Sequence, residues 1–283
     1  MDSNTYESST LRRGLSCLLP VYEKDDPDHL SQAIESILNQ TRLPDELIIV
    51  EDGPLNQLLN KVLSKGQSRV PTVRVQIPQN VGLGLALGHA LNFCQYDLIA
   101  RMDSDDVARS DRFEIQERYL RQHAEVILLG GSIEEFNKLP GDLERIRRSP
   151  KSDLEIRQLA RKRNPFNHVT VVFRKQAVQT AGGYLHNPGF EDYELWLRLL
   201  RLPGKVENLP DVLVDVRAGS EMLRRRRGWS YLKTEIAFLR SARKQGLLST
   251  FDMMFSAILR TPARLVPEKV LGILYERLLR QRK

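Results

Sequence analysis

The residues best suited to chemistry in this chain are three carboxylates, Asp103, Asp105 and Asp106, that lie within four consecutive positions. They follow the apolar run Leu98-Ile99-Ala100, which is typical of a short buried strand. Carboxylates this close repel one another unless a cation neutralises them, and hard divalent cations such as Mg²⁺ and Mn²⁺ prefer oxygen ligands. The cluster therefore predicts a metal site that binds a diphosphate.

A second pair of carboxylates, Glu191 and Asp192, lies far along the chain, after a glycine-rich turn and before an aromatic-rich helix that contains Trp196. A carboxylate in such a place is suited to deprotonate an acceptor hydroxyl as a general base. His168 precedes a predicted strand and is a candidate for contact with the acceptor or with a phosphate. These residues predict a second half of the site, on the acceptor side.

Each of these groups also has a plainer interpretation. The acid cluster suits a helix N-terminus, where the helix dipole favours acids and Arg109 and Arg112 balance the charge. The pair Glu191-Asp192 suits the same role at its own helix, and His168 suits a hydrogen-bonded structural position. On these residues alone, both interpretations stay open.

The elements that must position these groups alternate strand and helix over the first 110 residues. Short apolar runs predict buried strands, and apolar residues at helical spacing predict the helices between them. This alternation predicts an α/β fold with a mostly parallel, doubly wound central sheet flanked by helices. Strands are predicted at residues 15–19, 46–50, 73–77 and 97–100, and further along the chain at 126–131, 169–173 and 206–216.

Loops at the ends of the first three predicted strands carry further candidates. Pro20-Val21-Tyr22 presents an aromatic ring and backbone groups to a base, and Asp52 suits a ring N–H or a ribose hydroxyl. Asn80 and Gly82 lie where a helix N-terminus approaches a phosphate. Because ligands bind at the carboxyl ends of strands in an open α/β sheet, these loops together predict a nucleotide-diphosphate pocket. Taken singly, each residue also fits packing, a turn or a helix cap.

Positive charge is concentrated in the last part of the chain. The net charge is +7, and the residues from 217 onward hold 16 Lys and Arg against 5 Asp and Glu. A basic segment suggests an anionic surface, phospholipid or nucleic acid, or else a solvated helical face. The basic run Arg224–Arg227 is followed by the apolar stretches Phe251–Leu259 and Val270–Leu279, a combination that favours peripheral contact with an anionic membrane. Because no nucleic-acid-binding module is recognised, we expect no nucleic-acid partner.

Two features bear on the compartment. Cys17 and Cys94 both lie in apolar runs, which favours buried free thiols in a reducing compartment over a disulfide. The first residues are polar and acidic, and no apolar run approaches the roughly 20 residues of a spanning helix. The expectation is a cytoplasmic protein.

Taken in order, the motifs resemble those of the family 2 glycosyltransferases, in particular bacterial exopolysaccharide enzymes of the amylovoran type. The resemblance covers about residues 14–217. It implies a GT-A fold, a nucleotide-sugar donor (by default a UDP-sugar), Mn²⁺ or Mg²⁺, and inversion at the anomeric carbon. The acceptor is a saccharide or a lipid-diphosphate-linked one, which would fit the basic tail and a position at the cytoplasmic face of the inner membrane. The motifs are Leu-Leu-Pro-Val-Tyr, Ala-Ile-Glu-Ser-Ile-Leu-Asn-Gln-Thr, Glu-Leu-Ile-Ile-Val-Glu-Asp-Gly, Asn-Val-Gly-Leu, Arg-Met-Asp-Ser-Asp-Asp, Gly-Gly-Tyr and Glu-Asp-Tyr-Glu-Leu-Trp.

The resemblance also implies roles for particular residues. Asp192 matches the catalytic base, with Glu191 beside it to orient the acceptor. Asp105 matches the metal ligand, together with Asp103, and His168 and Trp196 are acceptor-side candidates. The residues expected around the donor are Pro20, Val21, Tyr22, Glu23, Asp52, Asn80, Gly82, Arg101, Asp103 and Ser104.

The chain departs from the family pattern in two places. The second strand ends in Glu51-Asp52-Gly53-Pro54, where the family often has two aspartates, a glycine and a serine. The match fades after about residue 228, so no role is inherited for the basic helical extension. We therefore expect a glycosyltransferase domain at 14–217 and an extension at 218–283.

Two other classes were weighed against this one. A dinucleotide-dependent oxidoreductase is suggested by Gly82-x-Gly84-x-x-x-Gly88 after a strand, with Asp103 about 20 residues further on. The first strand–helix turn, where that fingerprint belongs, has no glycine. A catalytically inactive relative that only binds nucleotide sugar or nucleic acid is the other class, and the intact series of acids argues against it.

Overall fold

The computed structural model describes residues 11–64, 69–218, 228–265 and 281–282, and within these residues ten strands form one mixed sheet. The sheet order is β10-β7-β6-β8-β4-β1-β2-β3, and β9 pairs with β6 and β5. The strands are β1 (Arg12–Val21), β2 (Glu46–Asp52), β3 (Thr72–Ile77), β4 (Tyr96–Arg101), β5 (Val107–Ala108), β6 (Val126–Phe136), β7 (Arg145–Arg147), β8 (Val172–Arg174), β9 (Lys205–Arg217) and β10 (Gln281–Arg282).

Helices cover both faces of this sheet. Alternate residues of β1 and β2 enter two different apolar clusters: Leu19 and Ile49 lie in one, and Leu18 and Ile48 in the other. A strand buried on both faces must be apolar at successive positions, which is why these strands read as continuous apolar runs. The helices are α1 (Pro27–Leu38), α2 (Gln57–Ser64), α3 (Leu83–Ala90), α4 (Arg112–Gln122), α5 (Asp153–Ala160), α6 (Lys175–Thr180), α7 (Glu191–Leu199), α8 (Gly228–Lys244) and α9 (Thr250–Leu265).

Local signals explain where several helices begin. The Asp26 side chain accepts hydrogen bonds from the backbone N–H groups of Asp28 and His29 at the start of α1. Ser152 and Glu155 form a capping box at the start of α5. The Ser152 side chain accepts a hydrogen bond from the Glu155 N–H, and the Glu155 side chain accepts one from the Ser152 N–H. These caps fix the entry of the chain into its helices without help from distant residues.

The predicted α/β fold is confirmed, although the sheet is more mixed than expected. Strands β3, β2, β1 and β4 are parallel neighbours, and they carry the predicted ligand-binding edge. Beyond them, β8 runs antiparallel to both β4 and β6. Strand β8 is also shorter than predicted, because His168–Thr170 forms a 3-10 helix whose Thr170 N–H donates to the Asn167 carbonyl.

The C-terminal helices α8 and α9 pack on α7 rather than standing apart from the sheet domain. Phe190, at the start of α7, stacks on Phe238 of α8 with ring centroids 4.7 Å apart. Tyr193 and Leu197 of α7 join the same apolar cluster, with Leu248 between α8 and α9. The extension therefore shares a core with the helix that carries the second pair of carboxylates.

Membrane contact was predicted for three parts of the extension. Arg224–Arg227 and Val270–Leu279 lie outside the described residues, whereas Phe251–Leu259 lies within α9. In the part of the chain that the structure describes, no helix has the length and apolar character needed to cross a bilayer. Cys17 and Cys94 are free and buried, as expected.

Candidate active site

The acid cluster lies at the exit of β4, between two anchored stretches of backbone. The Arg101 N–H donates to the Val171 carbonyl and the Met102 N–H donates to the Leu18 carbonyl, each at 3.0 Å. The chain then turns and enters β5 at Val107. Because a turn and a strand follow the cluster, its interpretation as a helix N-terminus is wrong.

That interpretation takes Arg109 and Arg112 as the counter-charges of the acids, but their hydrogen bonds and ion pairs go to other groups. Arg109 pairs with Glu134 at 2.8 Å and with Asp215 at 2.6 Å. Arg112 is buried and donates from Nη2 to the carbonyl oxygen of Arg101 at 2.8 Å, so it holds the end of β4. The charges of Asp106 and Asp103 still act on Arg112, but no ion pair joins either arginine to the cluster among the described residues.

Three carboxylates converge in this turn, one more than the two expected as metal ligands. Asp103, Asp105 and Asp106 each have an oxygen within 4.8 Å of the others. Asp106 is buried and accepts from the Arg217 N–H at 2.8 Å. Burial, followed by the charges of Asp105 and Asp103, raises the pKa of Asp106 well above its usual value.

This set of residues fits a hard divalent cation. The donors are carboxylate oxygens, which Mg²⁺ and Mn²⁺ prefer, and the raised pKa of Asp106 reports negative charge that a cation would offset. Asp103 also pairs with the guanidinium of Arg101, which shares its charge. We therefore find the predicted acids together, with Asp106 added to them.

A fourth carboxylate, Asp25, reaches the same cluster from the exit of β1. Its Oδ2 accepts from the Tyr22 N–H at 3.0 Å, and the buried Ser104 hydroxyl donates to it. Burial and then the nearby charges of Asp105 and Asp103 raise the pKa of Asp25 to about 6, against those hydrogen bonds. Sequence reasoning missed Asp25, although it lies in an acidic loop directly after the first strand.

The remaining predicted donor residues of the first loop lie around this point. Pro20 and Val21 are buried at the end of β1, where they pair in register with Val50 and Glu51. Tyr22 is partly exposed, and the exposed Glu23 accepts from the Asn56 side chain through its carbonyl oxygen at 3.2 Å. A ligand would thus meet the backbone of the strand end and the ring of Tyr22.

Asp52 connects the second loop to the third. Its two carboxylate oxygens accept from the N–H groups of Val81 at 2.7 Å and Gly82 at 3.0 Å. The Asn80 side chain donates back to the Asp52 carbonyl at 3.1 Å. Asp52 therefore holds the Asn80–Gly82 loop at the start of α3, a role that the sequence did not predict.

Glu51, the departure from the family pattern, has a structural place. It is buried and accepts from Arg74 Nε at 2.5 Å and from Gln76 Nε2 at 3.2 Å. Its charge is therefore satisfied within the sheet by the neighbouring strand β3.

The second pair of carboxylates opens α7, as predicted. Asp192 accepts through Oδ1 from the Tyr193 N–H and through Oδ2 from Asn164 Nδ2, each at 2.6 Å. Asn164 Oδ1 in turn accepts from the Phe166 N–H at 3.1 Å, which fixes the amide orientation. Burial, followed by the charge of Asp192, raises the pKa of Glu191 to about 7. Asn164 is a second residue that sequence reasoning missed.

Arg101 and Tyr184 interact electrostatically with both groups of acids. Arg101 is 2% exposed, and its Nε and Nη1 have no hydrogen-bond partner among the described residues. Its positive charge lowers the pKa of Glu191, while Tyr184 senses the charges of Asp192 and Glu191 as well as that of Asp103. The charges of both groups of acids therefore interact with the same two side chains, Arg101 and Tyr184.

His168 lies against Tyr184, and Trp196 lies against His168. His168 Nε2 is 2.9 Å from the Tyr184 hydroxyl, and the loss of solvent and then the charge of Arg101 lower the His168 pKa well below its usual value. Trp196 is fully buried against Phe166 and His168. The expected acceptor contact of Trp196 is therefore corrected: a side chain with no exposed surface supports the site from below.

Glycines of α3 allow this helix to approach the segment that contains Tyr184, Leu185 and Glu191. A Cβ at Gly84 would lie 2.6 Å from the Leu185 carbonyl oxygen and 2.9 Å from Glu191 Cβ, and one at Gly88 would lie 3.0 Å from the Tyr184 carbonyl oxygen. The glycine pattern that suggested a dinucleotide fingerprint thus serves close helix packing. It carries no argument for an oxidoreductase.

A mixed sheet flanked by helices, with an acid cluster at the exit of the central strand β4 and a second acidic pair at the start of α7, is the arrangement of the GT-A class of glycosyltransferases. Two solved structures share this fold. TarS of S. aureus in complex with UDP-GlcNAc matches with a TM-score of 0.65 at 15% identity, over 90% of this chain and 77% of that one. The mannosyltransferase PcManGT from Pyrobaculum calidifontis matches with a TM-score of 0.57 at 13% identity, over 94% and 81%.

Sequence comparison then gives the family. Residues 16–181 match the family described as Glycosyl transferase family 2, and the chain belongs to that family. It is 44% identical over 264 residues to the amylovoran biosynthesis glycosyltransferase AmsE of Erwinia amylovora, covering 93% of this chain and 98% of AmsE. It is 35% identical over 266 residues, 94% of this chain and 96% of the relative, to a UDP-Gal:alpha-D-GlcNAc-diphosphoundecaprenol beta-1,3-galactosyltransferase of Escherichia coli. The predicted class of enzyme is thereby confirmed.

Proposed function

We propose that this glycosyltransferase moves a sugar, with inversion, from a nucleotide-diphosphate donor to a saccharide or lipid-diphosphate-linked acceptor in cell-surface or exopolysaccharide biosynthesis. The observation that carries the proposal is the common environment of Asp103 and the pair Glu191-Asp192 around Arg101 and Tyr184. A donor diphosphate at the first group would place its sugar toward the second. The oxidoreductase class has no comparable support.

The donor is proposed to be a UDP-sugar. The E. coli relative is named for UDP-Gal, and TarS was solved with UDP-GlcNAc. Tyr22 after β1, Asp52 at the end of β2 and the Asn80–Gly82 loop after β3 would surround the nucleoside. The Arg101 guanidinium pairs with Asp103, so a positive charge lies beside the acids that the donor diphosphate would meet.

A divalent cation, Mn²⁺ or Mg²⁺, would be held by Asp105 and Asp103 with Asp106 beside them. When bound, it supplies Lewis-acid stabilisation of the negative charge on the departing diphosphate. PcManGT was solved with GDP-Man and Mn²⁺, which fits such a site in this fold. Asp25 accepts a hydrogen bond from Ser104 and Asp106 accepts one from the Arg217 N–H, and these bonds would hold the two carboxylates in place beside the site.

The transfer itself is a direct displacement in which Asp192 acts as the general base. The acceptor hydroxyl gives its proton to a carboxylate oxygen of Asp192, and its oxygen forms the new bond to the anomeric carbon. The bond from that carbon to the diphosphate oxygen breaks, and the nucleoside diphosphate leaves with the electron pair. Glu191, with a pKa of about 7, is partly protonated near neutral pH and suited to hydrogen-bond an acceptor oxygen.

The proposed acceptor and location follow from the E. coli relative and from the extension. That relative is named for a diphosphoundecaprenol-linked substrate, and a lipid-linked acceptor would lie at a membrane surface. We therefore place the protein in the cytoplasm, peripheral on the cytoplasmic face of the inner membrane, with residues 14–217 as the catalytic domain and residues 218–283 as the membrane-facing extension.

The test is a screen of nucleotide sugars with Mn²⁺ and Mg²⁺, reading release of the nucleoside diphosphate with and without lipid-linked saccharide acceptors. The wild-type chain is expected to release UDP from one UDP-sugar. Asp192→Asn should lower acceptor-dependent turnover by about 10²- to 10⁴-fold while donor affinity stays the same. Near-normal turnover of this variant would show that the base lies elsewhere.

A further inference from the structure

Helix α9 presents an apolar stripe to solvent on one side. Phe251, Met254, Phe255 and Ile258 are spaced at i, i+3, i+4 and i+7, and their exposed fractions are 75%, 54%, 40% and 71%. Residues at this spacing share one helix face. Exposed apolar surface that is contiguous and rimmed by polar groups marks an interaction site more often than a lone exposed side chain does.

The opposite side of α9 is anchored to the catalytic domain. Met253 and Ala257 pack against the cluster that contains Phe190 and Phe238, and Ser256 is fully buried. The Ser256 hydroxyl donates to the Arg161 carbonyl at 3.4 Å. The helix is therefore held in a fixed orientation, so its exposed face is a defined surface of the molecule.

Basic side chains border this stripe at two points. Lys162 places its ammonium 5.7 Å from the centre of the Phe255 ring, and Arg161 beside it is exposed. Arg243 donates from Nε to the Thr250 hydroxyl at the start of α9, next to the exposed Lys244. Cations beside apolar side chains complement a surface with anionic headgroups over acyl chains.

From these contacts we infer that the α9 stripe (Phe251, Met254, Phe255 and Ile258), with its basic border, docks on an anionic phospholipid bilayer. The aromatic and aliphatic side chains enter the headgroup region, and the cations at 161, 162, 243 and 244 pair with lipid phosphates. This identifies the surface through which the extension meets the membrane.

The geometry also relates this surface to the active site. The loop that carries Arg161 and Lys162 continues to Asn164, whose side chain donates to Asp192. Docking through this border would therefore bring the acceptor side of the cleft toward the lipid headgroups. The docking surface stands on its own contacts, whereas its use in presenting a lipid-linked acceptor rests on the proposed function.

The test is flotation of the full chain with vesicles of phosphatidylglycerol and phosphatidylcholine, and with vesicles of phosphatidylcholine alone. The double variant Phe251→Ser with Ile258→Ser removes the two most exposed members of the stripe. Its matched control, Leu58→Ser with Leu139→Ser, changes two apolar side chains of similar exposure, 64% and 71%, outside α9. Both variants are first compared with wild type in thermal unfolding.

Wild type and control are expected to bind the anionic vesicles. The stripe variant is expected to have a partition constant lower by about tenfold or more. Arg161→Ser with Lys162→Ser should lower the partition constant by roughly tenfold, and 0.5 M salt should weaken binding of the wild type. The inference is overturned if wild type does not bind anionic vesicles. It is also overturned if the stripe variant binds them with the same partition constant as wild type.

Two further outcomes separate this inference from its alternatives. If wild type is a dimer that the stripe change converts to a monomer with vesicle binding unaltered, the stripe binds a second copy and the inference is overturned. Release of nucleoside diphosphate in solution is measured on the same proteins. Vesicle binding without release by any of them contradicts the proposed function and supports the docking surface.

Discussion

Asn164 donates its side-chain Nδ2–H to Oδ2 of Asp192 over 2.6 Å, and its own amide oxygen is held by the Phe166 N–H. A donor held in this way fixes the orientation of the carboxylate. Asn164 lies in the loop before the 3-10 helix, 28 positions from Asp192, so this carboxylate is oriented by a residue from outside α7.

The first prediction concerns this contact. Asn164→Ala should lower kcat by about 10- to 100-fold, because a carboxylate that is free to turn spends less time in reach of the acceptor hydroxyl. Donor affinity measured by calorimetry should stay unchanged. Asn92→Ala, at an exposed asparagine elsewhere, is the control. A fall in donor affinity equal to the fall in kcat would show that Asn164 only supports the fold.

The second prediction concerns the acid cluster. Chelation of divalent cations should weaken UDP binding by at least about tenfold, because the diphosphate then faces uncompensated carboxylates. Asp105→Asn should reduce the effect of added Mn²⁺, with exposed Asp28→Asn as the control. Calorimetry that gives equal nucleotide affinity with and without chelator would argue against Asp103 and Asp105 as ligands.

The third prediction links Glu191 to pH-dependent stability. Its pKa rises from 4.5 to about 7 on folding, so between these pH values the folded chain keeps a proton that the unfolded chain has released. The free energy of unfolding should therefore fall as pH rises through this window, by up to about 3 kcal/mol from this carboxyl.

Urea unfolding at pH 5 and pH 7.5 measures this effect. Glu191→Gln should flatten the dependence, and the slope that remains should include Asp25, whose pKa is about 6. The exposed Glu35→Gln serves as the control and should leave the slope as in wild type. An unchanged slope in Glu191→Gln would mean that this carboxyl is not the group that gains the proton.

The fourth prediction concerns the approach of α3 to the acceptor side. Gly84→Ala should destabilise the fold by about 1–3 kcal/mol, because the new Cβ would meet the Leu185 carbonyl and Glu191 Cβ. Alanine is otherwise preferred to glycine in a helix by roughly 0.5–1 kcal/mol, so the sign of the change is diagnostic. Thermal unfolding of Gly84→Ala and of Leu85→Ala, at an exposed position of the same helix, measures it. A more stable Gly84→Ala would contradict the close approach.

Much of the parallel half of the fold could be predicted from local patterns. Apolar runs gave β1, β2, β3 and β4, and acids or turn residues after each run placed the candidates at one edge of the sheet. That inference needs only the burial of strands and the rule that parallel strands end on the same side. The family motifs add roles for Asp105 and Asp192, which remain predictions.

The meeting of the two halves of the site was decided by tertiary structure. Nothing in the periodicity of the chain shows that Asp25 reaches Ser104, that Asn164 binds Asp192, or that Trp196 is buried rather than exposed to an acceptor. These contacts join residues that are far apart in sequence, and their partners depend on how helices and loops pack over the sheet. The residue types at the strand ends were thus set by the sequence, whereas their neighbours, charges and orientation arise only when distant segments are brought into contact.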